Sequence, residues 1–302
     1  MTLTETNHRA ILCVCGAMAA FVVNDALVKY ASQTMPAAQL IFVRGMLATL
    51  LIFMVAAASG ALARRRALRQ PLVAWRAVLD AVATMLYLTS LFHLPIANAT
   101  AINMASPLVI TLLAAVLLKE YVGAARWLAV AGGFIGVLLI IQPASDAFNV
   151  YALICLAGTL MHSARDLVTR RIPPEVPSLL VTLATSIAVT VLSGVLTSIE
   201  GWQPFGRFEF TLLALASVLL AIGYHLLIIG MRIGELSLAA PFRYSGLLFA
   251  ILIGYFVWGD WPNLLAWLGI ILLVVAGLQV IAAERWRPGR AARAAVVESR
   301  KR

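Results

Sequence analysis

The amino-acid sequence predicts an all-α polytopic membrane protein whose ten transmembrane helices form two inverted five-helix repeats. Three observations support this fold class. Of the 302 residues, 62% are hydrophobic and only 12% are charged, whereas a soluble domain carries about 25% charged residues. The apolar residues fall into ten runs, most of them about 20 residues long, which is the length that crosses a membrane. The last five runs repeat sequence features of the first five.

The ten predicted spans are separated by proline, glycine and clusters of charge, which interrupt apolar helices. The connectors are short, so helices that follow one another in the sequence are expected to pack antiparallel. The predicted spans are Ile11–Tyr30, Ala38–Ala58, Leu72–Phe92, Ala97–Leu118, Arg126–Ile141, Val150–Thr169, Leu179–Ser198, Thr211–Met231, Leu238–Trp258 and Leu264–Ala283.

The composition also excludes several classes of protein. So apolar a chain is neither disordered nor a small disulfide scaffold. Its cysteines, Cys13, Cys15 and Cys155, lie in apolar runs at spacings that match neither a metal site nor a disulfide framework. We therefore predict no cofactor and no metal. The sequence holds no enzyme motif such as His-Glu-x-x-His or Gly-x-Ser-x-Gly, so we predict that the protein is not an enzyme.

The positive charges predict the orientation of the chain. With a cytoplasmic N-terminus, 19 of the 23 Lys and Arg residues lie on the cytoplasmic side, as the positive-inside rule requires. We therefore predict a protein of the cell (inner) membrane with both termini in the cytoplasm. The same rule accounts for the net charge of +10, so no nucleic-acid partner is predicted. The first apolar run is too long for a signal peptide, so the N-terminus is expected to be retained.

The most specific feature is an internal repeat. Leu117-Leu-Lys-Glu120 recurs as Val257-Trp-Gly-Asp260 at a shift of 140 positions, and Asp25 is matched by Asp166 at a shift of 141. The predicted domains are a first five-helix repeat over residues 1–145, a second over 146–284, and a basic cytoplasmic tail over 285–302.

Five helices are an odd number, so the second repeat must enter the membrane from the opposite side. Two inverted half-structures can exchange conformations and open a central site first to one side and then to the other. The repeat therefore predicts a transporter, expected to act as a monomer in the lipid bilayer. A channel and a membrane scaffold are the alternatives.

The segment Ala99-Thr-Ala-Ile-Asn-Met-Ala-Ser-Pro107 resembles the repeat unit of the drug/metabolite transporter superfamily, EamA type. Lys119-Glu120, Gly132-Gly-Phe-Ile-Gly136 and Phe42-Val-Arg44 are similar to the same pattern. Within the superfamily the chain most resembles amino-acid exporters of the YddG type. That resemblance implies a secondary transporter of small metabolites that exports aromatic or neutral amino acids by alternating access around a central cavity.

A carrier of other metabolites or drugs stays open as the alternative substrate class, because the second repeat departs from the family pattern. Gly246-Leu247 replaces Ser106-Pro107, and the position that matches Arg44 falls at Ala184 or Thr185. The direction of transport does not follow from the fold, because a carrier follows the gradient of its substrate or coupled ion.

Arg243 in the ninth span is the predicted ligand of a substrate carboxylate, because a guanidinium binds a carboxylate through two parallel hydrogen bonds. The repeat shift places Asn103 of the fourth span opposite it, as a neutral hydrogen-bonding group. Tyr244 and Ser106, which lie near these two positions, complete the predicted group. The alternative is a structural arginine that binds carbonyl groups at a helix end.

Two tyrosines are predicted to line the substrate cavity. Tyr87 lies on the same face of the third span as Asp80, and Tyr224 lies beside His225 in the eighth span. Tyrosine offers an apolar ring and a polar hydroxyl, which suits the side chain of an aromatic or aliphatic substrate. Hydrogen bonding between helices is the competing interpretation.

Charged residues are predicted to cluster at opposite mouths of the bundle. Asp25 has Lys29 one turn away and Arg44 at a similar depth, while Asp166 has Arg170 one turn away. Side chains four positions apart on a helix meet. We interpret these groups as gates that break and form during transport, with static ion pairs as the alternative.

The energy source is predicted to be a gradient of substrate or of an ion, because the sequence has no nucleotide-hydrolysing motif. A coupled proton requires a titratable side chain within the membrane. The candidates are Asp25, Asp166, His162 and Glu120, and the sequence does not rank them.

Overall fold

The computed structural model describes residues 3–119, 122–143, 148–173, 175–233 and 240–285. Within these ranges the chain forms ten helical spans and no β-strand, which confirms the predicted fold class. Glu120, the predicted domain boundary at 145–146 and residues 286–302 of the tail lie outside the described residues. Numbered 1 to 10, the spans are Leu3–Ala31, Ala37–Ala58, Pro71–His93, Ile96–Leu117, Ala124–Ile141, Val150–Thr169, Ser178–Glu200, Arg207–Ile233, Pro241–Trp258 and Leu264–Arg285.

Length and composition qualify most of these spans for a membrane. In the described part of the chain, eight helices are long and apolar enough to cross one, and span 10 holds a shorter apolar stretch, Leu264–Val280. Span 6 has 20 residues and carries Arg165 and Asp166 near its end. Span 1 begins at Leu3 rather than at the predicted Ile11, because the polar residues before the apolar run continue the helix.

The number of antiparallel spans is even, so the first span begins and the last span ends on the same side of the bundle. We call this side the terminal face and the opposite side the distal face. The terminal face carries Leu3, Arg285 and a basic 3₁₀ helix, Ala61–Arg69, between spans 2 and 3. The distal face carries the connectors that follow spans 1, 3, 5, 7 and 9. The sequence predicts that the terminal face is cytoplasmic.

Packing between the spans follows the inversion. Span 1 packs along span 8 and span 3 packs along span 6, and these pairs are equivalent because the repeat relates span 1 to span 6 and span 3 to span 8. Span 2 packs along span 7 and span 5 along span 10, so each of these four lies against its own counterpart. The symmetry axis therefore passes between spans 2 and 7 and between spans 5 and 10.

Spans 4 and 9 are both interrupted at matching positions. Span 4 consists of the helices Ile96–Asn103 and Ser106–Leu117. Span 9 begins as a 3₁₀ helix, Ala240–Tyr244, continues as the α-helix Ser245–Ile253 and ends in the π-helical turn Gly254–Trp258. The two breaks correspond at the repeat shift of 140, so the interruption belongs to the repeat unit.

Small residues let spans 5 and 10 approach each other closely. A Cβ atom on Gly136 would lie 2.7 Å from the carbonyl oxygen of Gly269, and one on Gly269 would lie 2.5 Å from that of Gly136. Spans 2 and 7 meet in a similar way, since a Cβ on Gly45 would lie 2.7 Å from Thr190 Oγ1. These contacts fix the helices around the symmetry axis, where the polar residues of spans 1, 2, 3, 6 and 8 converge.

Candidate functional site

Polar side chains form two clusters inside the bundle. The distal cluster lies in the half nearer the distal face and contains Asn24, Asp25, Arg44 and Tyr87. The terminal cluster lies in the half nearer the terminal face. It contains Arg76, Asp80, His162, Arg165 and Asp166.

Neutral donors hold Asp25 in the distal cluster. Tyr87 donates its hydroxyl hydrogen to Asp25 Oδ2 over 2.8 Å, and Asn24 Nδ2 donates to Asp25 Oδ1 over 2.9 Å. Arg44 reaches Asp25 only indirectly, because its Nη1 donates to Asn24 Oδ1 over 3.2 Å. Arg44 Nε is buried and has no hydrogen-bond partner.

Basic groups surround Asp80 in the terminal cluster. Arg165 Nη1 binds Asp80 Oδ1, His162 Nε2 lies 3.8 Å from the same oxygen, and Arg76 Nη1 lies 3.9 Å from Asp80 Oδ2. Arg165 also pairs with Asp166, with 2.8 Å between Nη2 and Oδ1. Arg76 has a long ion pair with Asp80, and its guanidinium also donates to the hydroxyl oxygens of Thr169 and Thr185.

A ring contact connects the two clusters. The rings of Tyr87 and His162 lie with centroids 6.2 Å apart, across the interface of spans 3 and 6. His162 Nδ1 lies 3.2 Å from Asn103 Oδ1, and the hydroxyl oxygens of Ser106 and Ser163 lie 3.2 Å apart. Polar side chains therefore run continuously from the distal cluster to the terminal cluster.

The two repeats share the local geometry of one motif but differ in charge. In each repeat the residue before the aspartate donates to it over 2.9 Å, from Asn24 to Asp25 and from Arg165 to Asp166. Asp25 is therefore bound by an amide where Asp166 is bound by a cation. The Asp166 side chain is 39% exposed.

One face of span 8 shows which side of the bundle is open. Ser217, toward the distal face, is 1% exposed, whereas Tyr224 and Ile228, further along the same face, are 45% and 47% exposed. Tyr224 interacts electrostatically with Asp80, Arg165, Arg76 and Arg44, so its exposed surface looks into the bundle. Along this face of span 8, exposure therefore rises from the distal half of the bundle to the terminal half.

A groove of about 540 Å³ on the terminal face reaches this open stripe. Ile228 of span 8 lines it together with Thr182 of span 7 and Arg64 of the 3₁₀ helix. The groove therefore ends one helical turn from Tyr224 on span 8.

Lys29 joins span 1 to the end of span 3 near the distal face. Its Nζ donates to the carbonyl oxygen of Leu91 over 2.9 Å and to that of Leu94, both at the end of span 3. The same atom lies 5.5 Å from the centroid of the Trp258 ring of span 9. Asp260, in the connector after span 9, has a pKa above its ordinary value because burial disfavours the carboxylate, and Lys29 partly offsets that rise.

The two predicted charge pairs do not form in this structure. Lys29 binds carbonyl groups of span 3 instead of Asp25, because the end of that helix offers free acceptors. Asp166 pairs with its neighbour Arg165, while Arg170 is exposed on the terminal face. The predicted proximity of Asp25 and Arg44 takes the form of a bridge through Asn24.

The group predicted around Arg243 is dispersed. Arg243 is exposed at the start of span 9, and within the described residues it makes no hydrogen bond or ion pair with Asn103, which contacts His162. Tyr244 packs against Gly277, and its buried hydroxyl has no hydrogen-bond partner among the described residues. The repeat shift, which placed Arg243 opposite Asn103, did not predict that these side chains would have separate partners.

Sequence reasoning missed Arg76 and Arg165 as members of the site. Both were attributed to the positively charged flanks of the spans. Two signals were available: Arg76 precedes Asp80 by one helical turn, and Arg165 occupies the position of Asn24 in the repeat. His225, in contrast, is exposed on span 8 with no contact to either cluster.

Inverted helical repeats around a charged and accessible centre define a polytopic membrane transporter. The chain belongs to the EamA-like transporter family, whose sequence profile matches residues 8–142 and 149–282. It is 27% identical to the pseudopaline exporter CntI of Pseudomonas aeruginosa, over 85% of this chain and 90% of the exporter. A riboflavin transporter of Rhizobium johnstonii is 30% identical, over 70% of each chain.

Other comparisons agree with this assignment. An S-adenosylmethionine uptake transporter of Rickettsia prowazekii is 25% identical, over 63% of this chain and 65% of the transporter. A crystal structure with 20% sequence identity superimposes with a TM-score of 0.57 over 94% of this chain and 98% of the other, which shows the same fold. The named relatives are carriers of small metabolites. They support membership of the family, but not the more specific resemblance to amino-acid exporters of the YddG type.

Proposed function

We propose that this carrier exports small zwitterionic metabolites, with amino acids as the first class, across the inner membrane by alternating access and as a monomer. The observation that carries the proposal is the exposed side chain of Tyr224, which lies among charged groups of both signs. A zwitterion presents both a carboxylate and an ammonium group to such a site.

Arg76 and Arg165 are the proposed partners of the substrate carboxylate. Guanidinium groups bind carboxylates through paired hydrogen bonds, and both arginines interact electrostatically with Tyr224. Arg76 lies 3.9 Å from Asp80 and otherwise donates to the neutral hydroxyls of Thr169 and Thr185, so a substrate carboxylate can become its main negatively charged partner. The Tyr224 ring, which meets the Phe21 ring edge-on at 5.1 Å, offers an apolar wall for the substrate side chain.

The proposed cycle starts from the state in which the terminal face is open. Because the positive-inside rule makes this face cytoplasmic, the substrate enters from the cytoplasm. Release on the other side requires Lys29 to leave the end of span 3, where its hydrogen bonds now join spans 1 and 3. The inverted repeat supplies the motion, since each half can adopt the conformation of the other.

A carrier of other metabolites is the second candidate function. The names of two relatives, a riboflavin transporter and an S-adenosylmethionine uptake transporter, favour it. Both compounds belong in the same substrate panel as the amino acids.

Counterflow in proteoliposomes tests the proposal. Vesicles loaded with an unlabelled compound should take up its labelled form, with phenylalanine, leucine, riboflavin and S-adenosylmethionine as the panel. We expect uptake of an amino acid, and we expect Arg76→Gln to raise its half-saturation concentration by about tenfold or more, the effect of losing a hydrogen bond between charged groups.

Two further variants complete this test. Arg171→Gln, at an exposed position of the connector after span 6, is the matched control and should behave as the wild type. Arg243→Ala examines the ligand predicted from the sequence. The two variants are compared at equal membrane abundance. If Arg243→Ala loses transport and Arg76→Gln keeps it, Arg243 and not Arg76 binds the substrate carboxylate. Uptake of riboflavin alone would favour the second candidate.

A further inference from the structure

Asp25 differs from Asp80 and Asp166, the other two aspartates of the described polar clusters. Asp80 and Asp166 each have a cationic nitrogen within 4 Å, supplied by Arg165. Asp25 has none, and its two oxygens accept hydrogen bonds from the neutral groups of Tyr87 and Asn24. Within the described residues, the negative charge of Asp25 is therefore not neutralised by a direct ion pair.

The hydrogen bonds of Asp25 suit both of its protonation states. An ionised carboxylate accepts from the Tyr87 hydroxyl at Oδ2 and from Asn24 Nδ2 at Oδ1. A hydroxyl group both donates and accepts, so a proton on Oδ2 can be donated to the Tyr87 oxygen while Asn24 continues to donate to Oδ1. Charge inside a membrane is costly when it is unpaired, and here a proton removes it while both oxygens of Asp25 keep a hydrogen-bond partner.

Few titratable groups act on Asp25 from the spans packed around it. Arg44 of span 2 and Tyr87 of span 3 interact with it electrostatically. Tyr224 of span 8 interacts with Arg44. Among the described groups of the surrounding spans, Lys29, Arg76, Asp80, His93 and Glu209 bind other partners. No hydrogen bond or ion pair within the described residues joins Asp25 to Tyr30, Arg207, His225, Arg243, Tyr244 or Tyr255.

Asp25 also borders the proposed substrate site. It follows Phe21 by one helical turn, so both side chains lie on one face of span 1, and Phe21 contacts the Tyr224 ring. Asp25 is partly exposed. On its other side, Tyr87 leads to His162 and the terminal cluster. A positive charge that enters beside Tyr224 therefore acts on Asp25 through the low-dielectric interior.

We propose that Asp25 binds the proton that this carrier exchanges for its substrate. The inference rests on the proposed function, in which the substrate carries an ammonium group. The Asp25 carboxylate takes up one proton from water on the distal side and becomes a neutral acid. When the terminal face is open, the positive charge of the entering substrate favours the carboxylate, and the proton leaves to that side. No other bond is formed or broken.

Uncoupling by Asp25→Asn tests this assignment. In proteoliposomes, counterflow at equal pH needs no net proton movement, whereas accumulation against a substrate gradient needs an imposed pH difference. We expect the wild type to perform both and Asp25→Asn to keep counterflow while losing the accumulation. The control is Glu175→Gln, which removes an exposed carboxylate from the connector after span 6 and should retain both activities.

The possible results separate the proton site from the proposed function. Wild-type counterflow without any response to a pH difference, or full accumulation by Asp25→Asn, overturns the proton site and leaves amino-acid transport standing. A wild type without amino-acid counterflow refutes the proposed function instead.

If the wild type shows no amino-acid counterflow, or if Asp25→Asn is inactive in both assays, a measurement without substrate tests whether Asp25 binds a proton. Infrared difference spectra recorded as the pH falls should show carboxylic-acid absorption from all the acidic residues, with one component that is lost in Asp25→Asn. Difference spectra that are the same in both proteins overturn the assignment.

Discussion

Asp25 and Asp166 occupy equivalent positions in the two repeats, yet a single neighbour gives them different chemistry. The residue before each aspartate donates to it, and this residue is Asn24 in one repeat and Arg165 in the other. An amide leaves the charge of Asp25 in place, whereas a guanidinium neutralises that of Asp166. Sequence divergence at one position therefore gives an amide contact in one repeat and an ion pair in the other.

Asp260 permits a prediction about stability and pH. Burial raises the pKa of its carboxyl above the ordinary value, against the opposing effect of Lys29. A raised pKa in the folded state means that the stabilisation is complete below the ordinary pKa and is lost as the pH rises through the folded value. We expect Asp260→Asn to raise the melting temperature in detergent at neutral pH, and to lose this advantage below about pH 4.

Thermal unfolding of both proteins over a pH series checks the Asp260 prediction. An advantage of Asp260→Asn that is the same at every pH would contradict an origin in the carboxyl group.

At the scale of helical elements, close approach at glycine decides how the spans are placed. Spans 5 and 10 touch through Gly136 and Gly269, backbone against backbone. Span 6 approaches span 3 at Gly158, where a Cβ atom would lie 3.2 Å from the backbone nitrogen of Tyr87. One turn later on span 6, His162 meets the Tyr87 ring. Gly158 therefore determines the position along spans 3 and 6 at which the two polar clusters meet.

Two glycines of span 5 provide a matched pair of variants. A Cβ on Gly136 would lie 2.7 Å from the Gly269 oxygen, whereas one on Gly132 would make only an ordinary contact, 3.9 Å from Leu272 Cδ1. Overpacking costs about 1 to 3 kcal/mol. We expect Gly136→Ala to lower the free energy of unfolding by about that amount, measured by denaturation in detergent.

Gly132→Ala is the control for Gly136→Ala. It adds the same methyl group to the same helix, where alanine also has the better helix propensity, so stability should stay equal or rise. Equal destabilisation by both changes would show that the close approach of spans 5 and 10 is not the cause.

For the whole molecule, the inversion explains why one face is open while the other is closed. Two halves with the same fold but different sequences need not have the same conformation at a given moment. The stripe of span 8 from Ser217 to Ile228 is closed toward the distal face and open toward the terminal face. Lys29 strengthens the closed side by binding the end of span 3.

Labelling of single cysteines checks the predicted orientation. Cys13, Cys15 and Cys155 are replaced first, and Gln33→Cys or Ser59→Cys is then introduced into the connectors after spans 1 and 2. In intact cells a membrane-impermeant maleimide should label Gln33→Cys and not Ser59→Cys, because the connector after span 2 is predicted to be cytoplasmic. Both should react after the cells are broken. The reverse pattern in intact cells would invert the orientation and the direction of the proposed cycle.

The site was less predictable from the sequence than the fold. Tyr87 and Tyr224 were predicted to line a polar interior, and the structure places Tyr87 on Asp25 and Tyr224 beside the terminal cluster. The pair of Asp25 with Lys29 was predicted from helical spacing and does not form, because the carbonyl groups at the end of span 3 offer Lys29 better partners. Spacing along one helix carries no information about acceptors on another.

The sequence by itself determined the number of spans, their inverted order and the family. Hydropathy and internal repetition follow from the order of the residues alone, whichever helices are in contact. Only the tertiary structure decided that Arg165 and not Arg170 binds Asp166, that Asn103 contacts His162, and that within the described residues Asp25 has neutral hydrogen-bond donors and no direct ion pair. The physical reason is that each of these depends on the rotation and depth of one helix against another. Close packing at glycines such as Gly158 fixes those quantities.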